Sequence, residues 1–291
     1  MPLNRREFLR NSSLIVLGST VLSKLVSAES LPWPPGLQSW TLGDLCRRDL
    51  PGTLKKLSAM GYKDIEFAGY YGHTIAEIKS MLADNGLRST SLHFTSNSWN
   101  HWRAQWPKFC NDVAEIGATY ATFPMFHPML QAGQFGKAVD TLNALAKQAD
   151  TGGVKFAYHN HNYEFRPQGK EPGYDYILKN TDAALVNMEL DCYWMVQAGY
   201  DPVQYMNQYP GRFALIHVKD RLPGFPTSTD LGIAALHTTA VGKGSINWVP
   251  IFQAAEKAGV KQYYVEQENN FMRSKFDSVK ASVDYLKQLQ I

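Results

Sequence analysis

The chain has 291 residues, 44% of them hydrophobic and 12% aromatic, with 29 Lys and Arg against 26 Asp and Glu. That length suits one large domain. Three cysteines, Cys46, Cys110 and Cys192, are odd in number and too few for a disulfide framework, so one bridge is permitted and none is required.

Chain order starts with "NRREFLRNSSLIVLGSTVLSKLVSAES". Paired Arg5 and Arg6 precede Phe8, Leu9 and a short apolar run from Leu14 to Leu22, and "VSA" at 26–28 has the small-x-small form of a cleavage site. The run falls short of the roughly 20 residues a spanning helix needs. An ordinary secretory signal or an amphipathic helix would share these features. "NRREFLR" at 4–10 resembles the twin-arginine export signal, which implies export of a folded protein, into the periplasm for example, after removal of residues 1–28. No cysteine stands at the cleavage site, so no lipid or other stable membrane anchor is expected. The leader holds Arg5, Arg6, Arg10 and Lys24 against Glu7, which leaves 25 basic and 25 acidic residues in positions 29–291. A neutral body argues against nucleic acid as partner, because phosphate binding needs a basic surface.

From residue 29 onward, β-branched or aromatic runs alternate with amphipathic stretches, the signal of βα units and a parallel sheet. The predicted strands are 36–40, 64–68, 89–94, 120–126, 154–160, 184–191, 212–219 and 262–267. Between them lie helical patterns such as "LPGTLKKLSAMG" and "WVPIFQAAEKAG", many ending in a glycine that can cap the helix (Gly61, Gly86, Gly117, Gly259). Eight strands in this rhythm predict a single-domain α/β chain folded as a (β/α)8 TIM barrel. The longest irregular stretch, 220–247, is expected to lie over the barrel mouth.

Chemistry in such a barrel collects at the C-terminal strand ends. There the sequence places Gln38, Glu66, His93, His127, His159 with His161, Glu189 with Asp191, His217 with Lys219, and Glu266 with Glu268. Ordinary structural roles exist for each: a core histidine at 217, a helix cap at Asp191, an ion pair of Glu266 with Lys219. Acid or imidazole groups at nearly every strand end point instead to a divalent cation. Their mixture favours Mn, Zn, Co or Fe over Ca or Mg. Trp40, Tyr70, Phe94, Trp99, Trp102 and Trp194 are aromatics near the mouth that can stack on sugar faces.

"VNMELDCYWMVQAGYDPVQYM" (186–206), "GRFALIHVKD" (211–220) and "VGKGSINWVPIFQAA" (241–255) resemble the xylose isomerase-like TIM-barrel superfamily, in its sugar phosphate isomerase/epimerase branch. The resemblance runs from "LQSWTL" onward. It implies one metal held by a Glu, Asp, His, Glu set from strands five to eight, carried here by Asp191, His217 and Glu266. At the fifth strand this chain departs: the usual glutamate aligns with His159, the first histidine of "YHNHNYEF" (158–165). His161 is the alternative, since alternate strand residues share a face.

The expected activity is that of an exported, metal-dependent carbohydrate isomerase or epimerase that abstracts a proton beside a sugar carbonyl. Elimination from a keto-glycoside (lyase or hydratase chemistry) is the alternative on the same site, and a non-catalytic sugar-binding barrel is the reading from another class. Glu266 is the expected base, with His161, Glu164 or Lys219 acting opposite it. Gln38, Glu66, His93 and Trp194 are expected to bind substrate. A neutral sugar, keto-sugar or glycoside fits an exported enzyme better than a sugar phosphate. A homo-oligomer is compatible with the sequence.

Overall fold

The computed structural model describes residues 30–96, 101–124, 129–130 and 133–291. The export motif, Trp99 and His127 lie outside the described residues. Eight parallel strands close into a barrel: β1 (Gly36–Gln38), β2 (Asp64–Ala68), β3 (Ser91–His93), β4 (Tyr120–Phe123), β5 (Lys155–His159), β6 (Val186–Asp191), β7 (Phe213–Val218) and β8 (Gln262–Val265). Each pairs with its neighbours in chain order, and β8 closes on β1. Several strands are shorter than expected at their C-terminal ends, where polar residues turn out of the ladder and into the mouth.

The principal helices between and after the strands are α1 (Leu50–Met60), α2 (Ile75–Asp84), α3 (Trp102–Ile116), α4 (Phe135–Thr151), α5 (Gly173–Asn180), α6 (Pro202–Gln208), α7 (Trp248–Ala258) and α8 (Lys275–Gln288). Local chemistry sets their ends. Thr74 and Glu77 form a reciprocal capping box at the start of α2. Gly61 ends α1 in the left-handed conformation at φ 101°, which a side chain would resist. None of the helices among the described residues is long and apolar enough to cross a membrane.

Two apolar layers hold the barrel. Outside, Phe94, Phe109, Phe123 and Phe156 surround the fully buried Trp106, whose Nε1–H donates to Leu145 O at 3.2 Å. Inside, Tyr120, Ala157, Leu215 and Tyr264 form one buried cluster. Each of the last three sits two residues before a polar strand-end group (His159, His217, Glu266), so period-two alternation puts the polar groups one layer above an apolar plug. At the opposite, N-terminal face, buried Asp64 accepts from Arg88 Nε at 2.7 Å and from Thr90 N at 2.9 Å, tying β2 to β3.

The 220–247 stretch is more ordered than an irregular loop. Asp220–Arg221 pairs antiparallel with Thr238–Thr239. Asp220 accepts from the N–H groups of Gly242, Gly244 and Ile246. The turn "VGKGS" therefore wraps a protein carboxylate, which leaves that cradle no room for a phosphate.

Candidate metal centre and adjoining cavity

β6 supplies two inward carboxylates, Glu189 and Asp191, because alternate strand residues share a face. In register, Glu189 faces His159 of β5, and Asp191 faces His217 of β7. Asp191 also caps the short helix Cys192–Gln197: its Oδ1 accepts from Trp194 N at 2.9 Å. Its peptide N–H donates to Asn160 Oδ1 at 3.1 Å. Its Oδ2 is thereby fixed in place, buried, and accepts no hydrogen bond. The capping role and the site role fall on different oxygens of one carboxylate.

Beneath this oxygen lies a layer of imidazole–carboxylate contacts. Glu189 Oε2 meets His93 Nε2 at 2.6 Å and His159 Nδ1 at 3.0 Å. Glu66 Oε2 meets His217 Nε2 at 2.7 Å and receives Gln38 Nε2 at 2.8 Å. Each contact engages one ring nitrogen and directs the other upward. His159 Nε2 then lies 3.9 Å and His217 Nδ1 3.8 Å from Asp191 Oδ2, and His217 Nδ1 lies 2.9 Å from Glu266 Oε2.

Among the described residues, two clusters have donor atoms close enough to hold an ion, and they share His217: His93, His159, Glu189 and His217 below, and Asp191, His217 and Glu266 above. Spacing separates them. Ligands about 2.1 Å from a tetrahedral ion lie roughly 3.4 Å apart. The lower groups touch at direct hydrogen-bond distances, the habit of carboxylates that orient metal-bound histidines. In the upper set Asp191 Oδ2 accepts no hydrogen bond among the described residues and stands at the wider spacing from His217 Nδ1 and His159 Nε2, while Glu266 Oε2 stays at hydrogen-bond distance from His217 Nδ1. The residues present therefore fit one divalent ion held by His159, Asp191, His217 and Glu266, with Glu66 and Glu189 as orienting carboxylates. His161 lies outside both clusters: its ring stacks on Tyr163 at 5.2 Å and tilts against Trp194 at 5.3 Å.

Charge is concentrated here. The Lys219 ammonium is buried between Asp191 Oδ2 (3.2 Å), Glu266 Oε2 (2.9 Å) and Glu268 Oε1 (2.8 Å). Burial works against that charge, yet the three carboxylates hold its pKa well above the usual lysine range. Burial also opposes ionisation of Glu266, but Lys219 and His217 keep it well below the usual carboxylate range. Burial and the neighbouring Glu189 charge push Glu66 up to about 7. Burial and the neighbouring His217 push His159 down to about 4, whereas burial of His217 is outweighed by Glu189, Glu266 and Glu66, which hold it well above the usual imidazole range.

Above the cluster opens a cavity of about 530 Å³ whose walls include Gln38, His93, His161, Trp194, Lys219 and Glu266. His159 and Glu268 also reach it. The indole Nε1–H of Trp194 is buried and finds no acceptor among the described residues. Two expected site residues sit elsewhere. Glu66 is fully buried below the cavity floor, where it holds His217 rather than substrate. Glu164 is fully buried under the β5 loop, accepting from Tyr158 OH at 2.7 Å and His161 N at 3.0 Å. Burial pushes it up to about 7 against those two hydrogen bonds. It shapes the loop that carries His161 and does not line the cavity.

"YHNHNYEF" thus divides its labour. His159 enters the cluster and Asn160 holds the Asp191 backbone. His161 lines the cavity, and Asn162 Nδ2 ties the mouth loop through Ser228 O at 2.9 Å. Glu189 and Glu268 enter the site although the resemblance named neither; period two from Asp191 and Glu266 was the signal. Of the aromatics, Tyr70 bonds Asp112 and Trp102 joins the outer core, while Trp40, Phe94 and Trp194 reach the cavity. All three cysteines are free and buried.

The orienting layer gives a direct expectation. Glu189→Gln should weaken Co²⁺ or Zn²⁺ binding by roughly 10–100-fold, the usual effect of losing such a carboxylate, with the fold kept by circular dichroism. Competition with a chelating dye measures it, and an unchanged affinity would remove Glu189 from the site.

The family model described as xylose isomerase-like TIM barrel matches residues 54–289. An inosose dehydratase of Clostridium beijerinckii is 28% identical over 125 residues, 40% of this chain and 41% of that protein. An inosose dehydratase of Geobacillus kaustophilus is 24% identical over 239 residues, 72% of this chain and 76% of that one. The crystal structure of a sugar phosphate isomerase/epimerase from Parabacteroides distasonis superposes with a TM-score of 0.74 at 28% identity, covering 88% of this chain and 98% of that one. With its barrel closed as that family requires, the chain belongs to the xylose isomerase-like TIM barrel family.

Proposed function

We propose that the protein is a divalent-metal-dependent enzyme that removes a proton beside the carbonyl of a keto-sugar or keto-glycoside and then expels a group from the next carbon. One observation carries the choice of elimination. Among the described residues the cavity wall holds carboxylates on one side only, Glu266 and Glu268 with Lys219 between them, while His93 of β3, His159 of β5 and His161 just after β5 carry the ionisable groups opposite. Symmetric epimerisation needs a carboxylate on each face of the reacting carbon, and His159 replaces the second one. A base beside a proton donor on the same side suits loss of hydroxide or alkoxide. The relatives named inosose dehydratase agree with this reading.

Glu266 is the base in this proposal. Its carboxylate is kept ionised by Lys219 and His217 and reaches the cavity. The Lys219 ammonium supplies a proton to the departing oxygen. Gln38, His93, His161 and the Trp194 indole N–H are the groups that hold the hydroxyls. The apolar walls, Phe94 and Trp194 among them, keep bulk water away from the reacting carbon. An ion held by His159, Asp191, His217 and Glu266 would act as Lewis acid toward the substrate carbonyl; Mn, Zn, Co and Fe all suit that ligand set. Isomerisation or epimerisation is the second reading. It is favoured by the 28% identical isomerase/epimerase structure and would use His161 as the opposing group.

The test uses keto-sugars and keto-glycosides in D₂O, followed by NMR and by the ultraviolet absorbance of an unsaturated ketone. Glu266→Gln should lower turnover by about 10²–10⁴-fold and abolish exchange at the carbon beside the carbonyl. Exchange at the wild-type rate would place the base elsewhere. An isomeric ketose in place of the unsaturated ketone would select the second reading.

The leader supports export by the twin-arginine route, which fits a folded, metal-loaded barrel and a substrate without phosphate. Replacing Arg5 and Arg6 with lysine should hold the full-length protein in the cytoplasm, as read by cell fractionation. Undiminished export would contradict that route.

A further inference from the structure

Beside the main cavity lies a smaller one of about 190 Å³, with Thr41, Asp44, Arg47 and Lys275 in its walls. The two cavities share Trp40 and Glu268. Trp40 follows β1 and is 58% exposed, so an open indole face stands on the border between them. Such a face matches the apolar C–H side of a sugar ring.

The lining charges of the smaller cavity, Asp44 and Glu268 against Arg47 and Lys275, sum to zero. Asp44 accepts from Lys275 Nζ at 2.6 Å and from Arg48 Nη2 at 3.2 Å, and Glu268 is engaged by Lys219. Arg47 makes no hydrogen bond to any described residue, which leaves its fork of donors free. Balanced charge with free donors and acceptors suits a neutral polyhydroxyl group better than a phosphate. The main cavity already lies in the range that encloses a ligand larger than one sugar ring.

We propose that the two cavities hold one ligand, a keto-glycoside whose reacting ring occupies the main cavity and whose leaving ring crosses Trp40 into the smaller one. This rests on the elimination reading above and names its leaving group. Glu266 takes the hydrogen beside the carbonyl as a proton. The electron pair of that C–H bond becomes the new C=C bond, and the C–O bond to the second ring breaks. That oxygen departs with its bonding pair and takes a proton from the Lys219 ammonium in the main cavity, whose partner Glu268 lines both cavities. The products are an unsaturated keto-sugar and a free sugar.

The experiment compares keto-disaccharides with the methyl keto-glycosides of the same reacting ring. The disaccharides should show kcat/KM higher by about tenfold or more, because binding of a remote ring contributes to the transition state. Trp40→Ala and Arg47→Ala should each bring the ratio close to one. Equal kcat/KM for the two substrates, or a ratio untouched by both variants, would overturn the proposal. If neither substrate reacts, the elimination reading itself fails. Calorimetry with unoxidised α- and β-linked glucose disaccharides against methyl glucosides then decides the subsite alone. Tighter disaccharide binding that disappears in Trp40→Ala supports it, and equal binding overturns it.

Discussion

Buried charge must be compensated, and the upper barrel is organised around that requirement. Glu66, Glu189, Asp191, Glu266 and Glu268 converge there with one ammonium, Lys219, and three histidines. Removing a carboxylate from water is expensive unless a partner replaces the lost hydration. The lower carboxylates find that partner in imidazole N–H groups and in Gln38. The upper ones have only Lys219 and His217, and Asp191 Oδ2 remains without a hydrogen bond. A divalent cation held there would add to the compensation that Lys219 and His217 supply.

The fold makes this arrangement affordable in geometric terms. Register across β5, β6 and β7 puts His159, Glu189, Asp191 and His217 on one inward face, and the apolar plug beneath them prevents collapse. Secondary contacts remove the remaining freedom. Asp191 is anchored by a helix cap and by Asn160, and each ring nitrogen that points down is engaged by a carboxylate. Precision of this kind is what a metal centre needs, since ligands misplaced by even an ångström lose the ion or the substrate.

The eight strands and the helix-ending glycines were legible in the sequence because both are local signals: period-two runs, and residues that tolerate positive φ. The structure brings nine of the expected residues (Gln38, His93, His159, His161, Asp191, Trp194, His217, Lys219, Glu266) to the cavity or the cluster beneath it, since a parallel barrel converts position near a strand end into proximity. Glu66 and Glu164 were misplaced by the same logic. Depth along the barrel axis depends on stagger between strands, and whether a loop carboxylate faces cavity or core depends on tertiary partners such as Tyr158. No sequence spacing encodes either. Glu189 shows the converse, because its alternation with Asp191 was visible while its partnership with three histidines required the closed barrel.

The most direct measurement is elemental analysis of the protein purified without chelator or nickel resin. The account predicts about one Mn, Zn, Co or Fe per chain, and its loss in Asp191→Ala with the barrel still folded. A wild-type chain that holds no divalent ion, even after incubation with each of these metals, would contradict it.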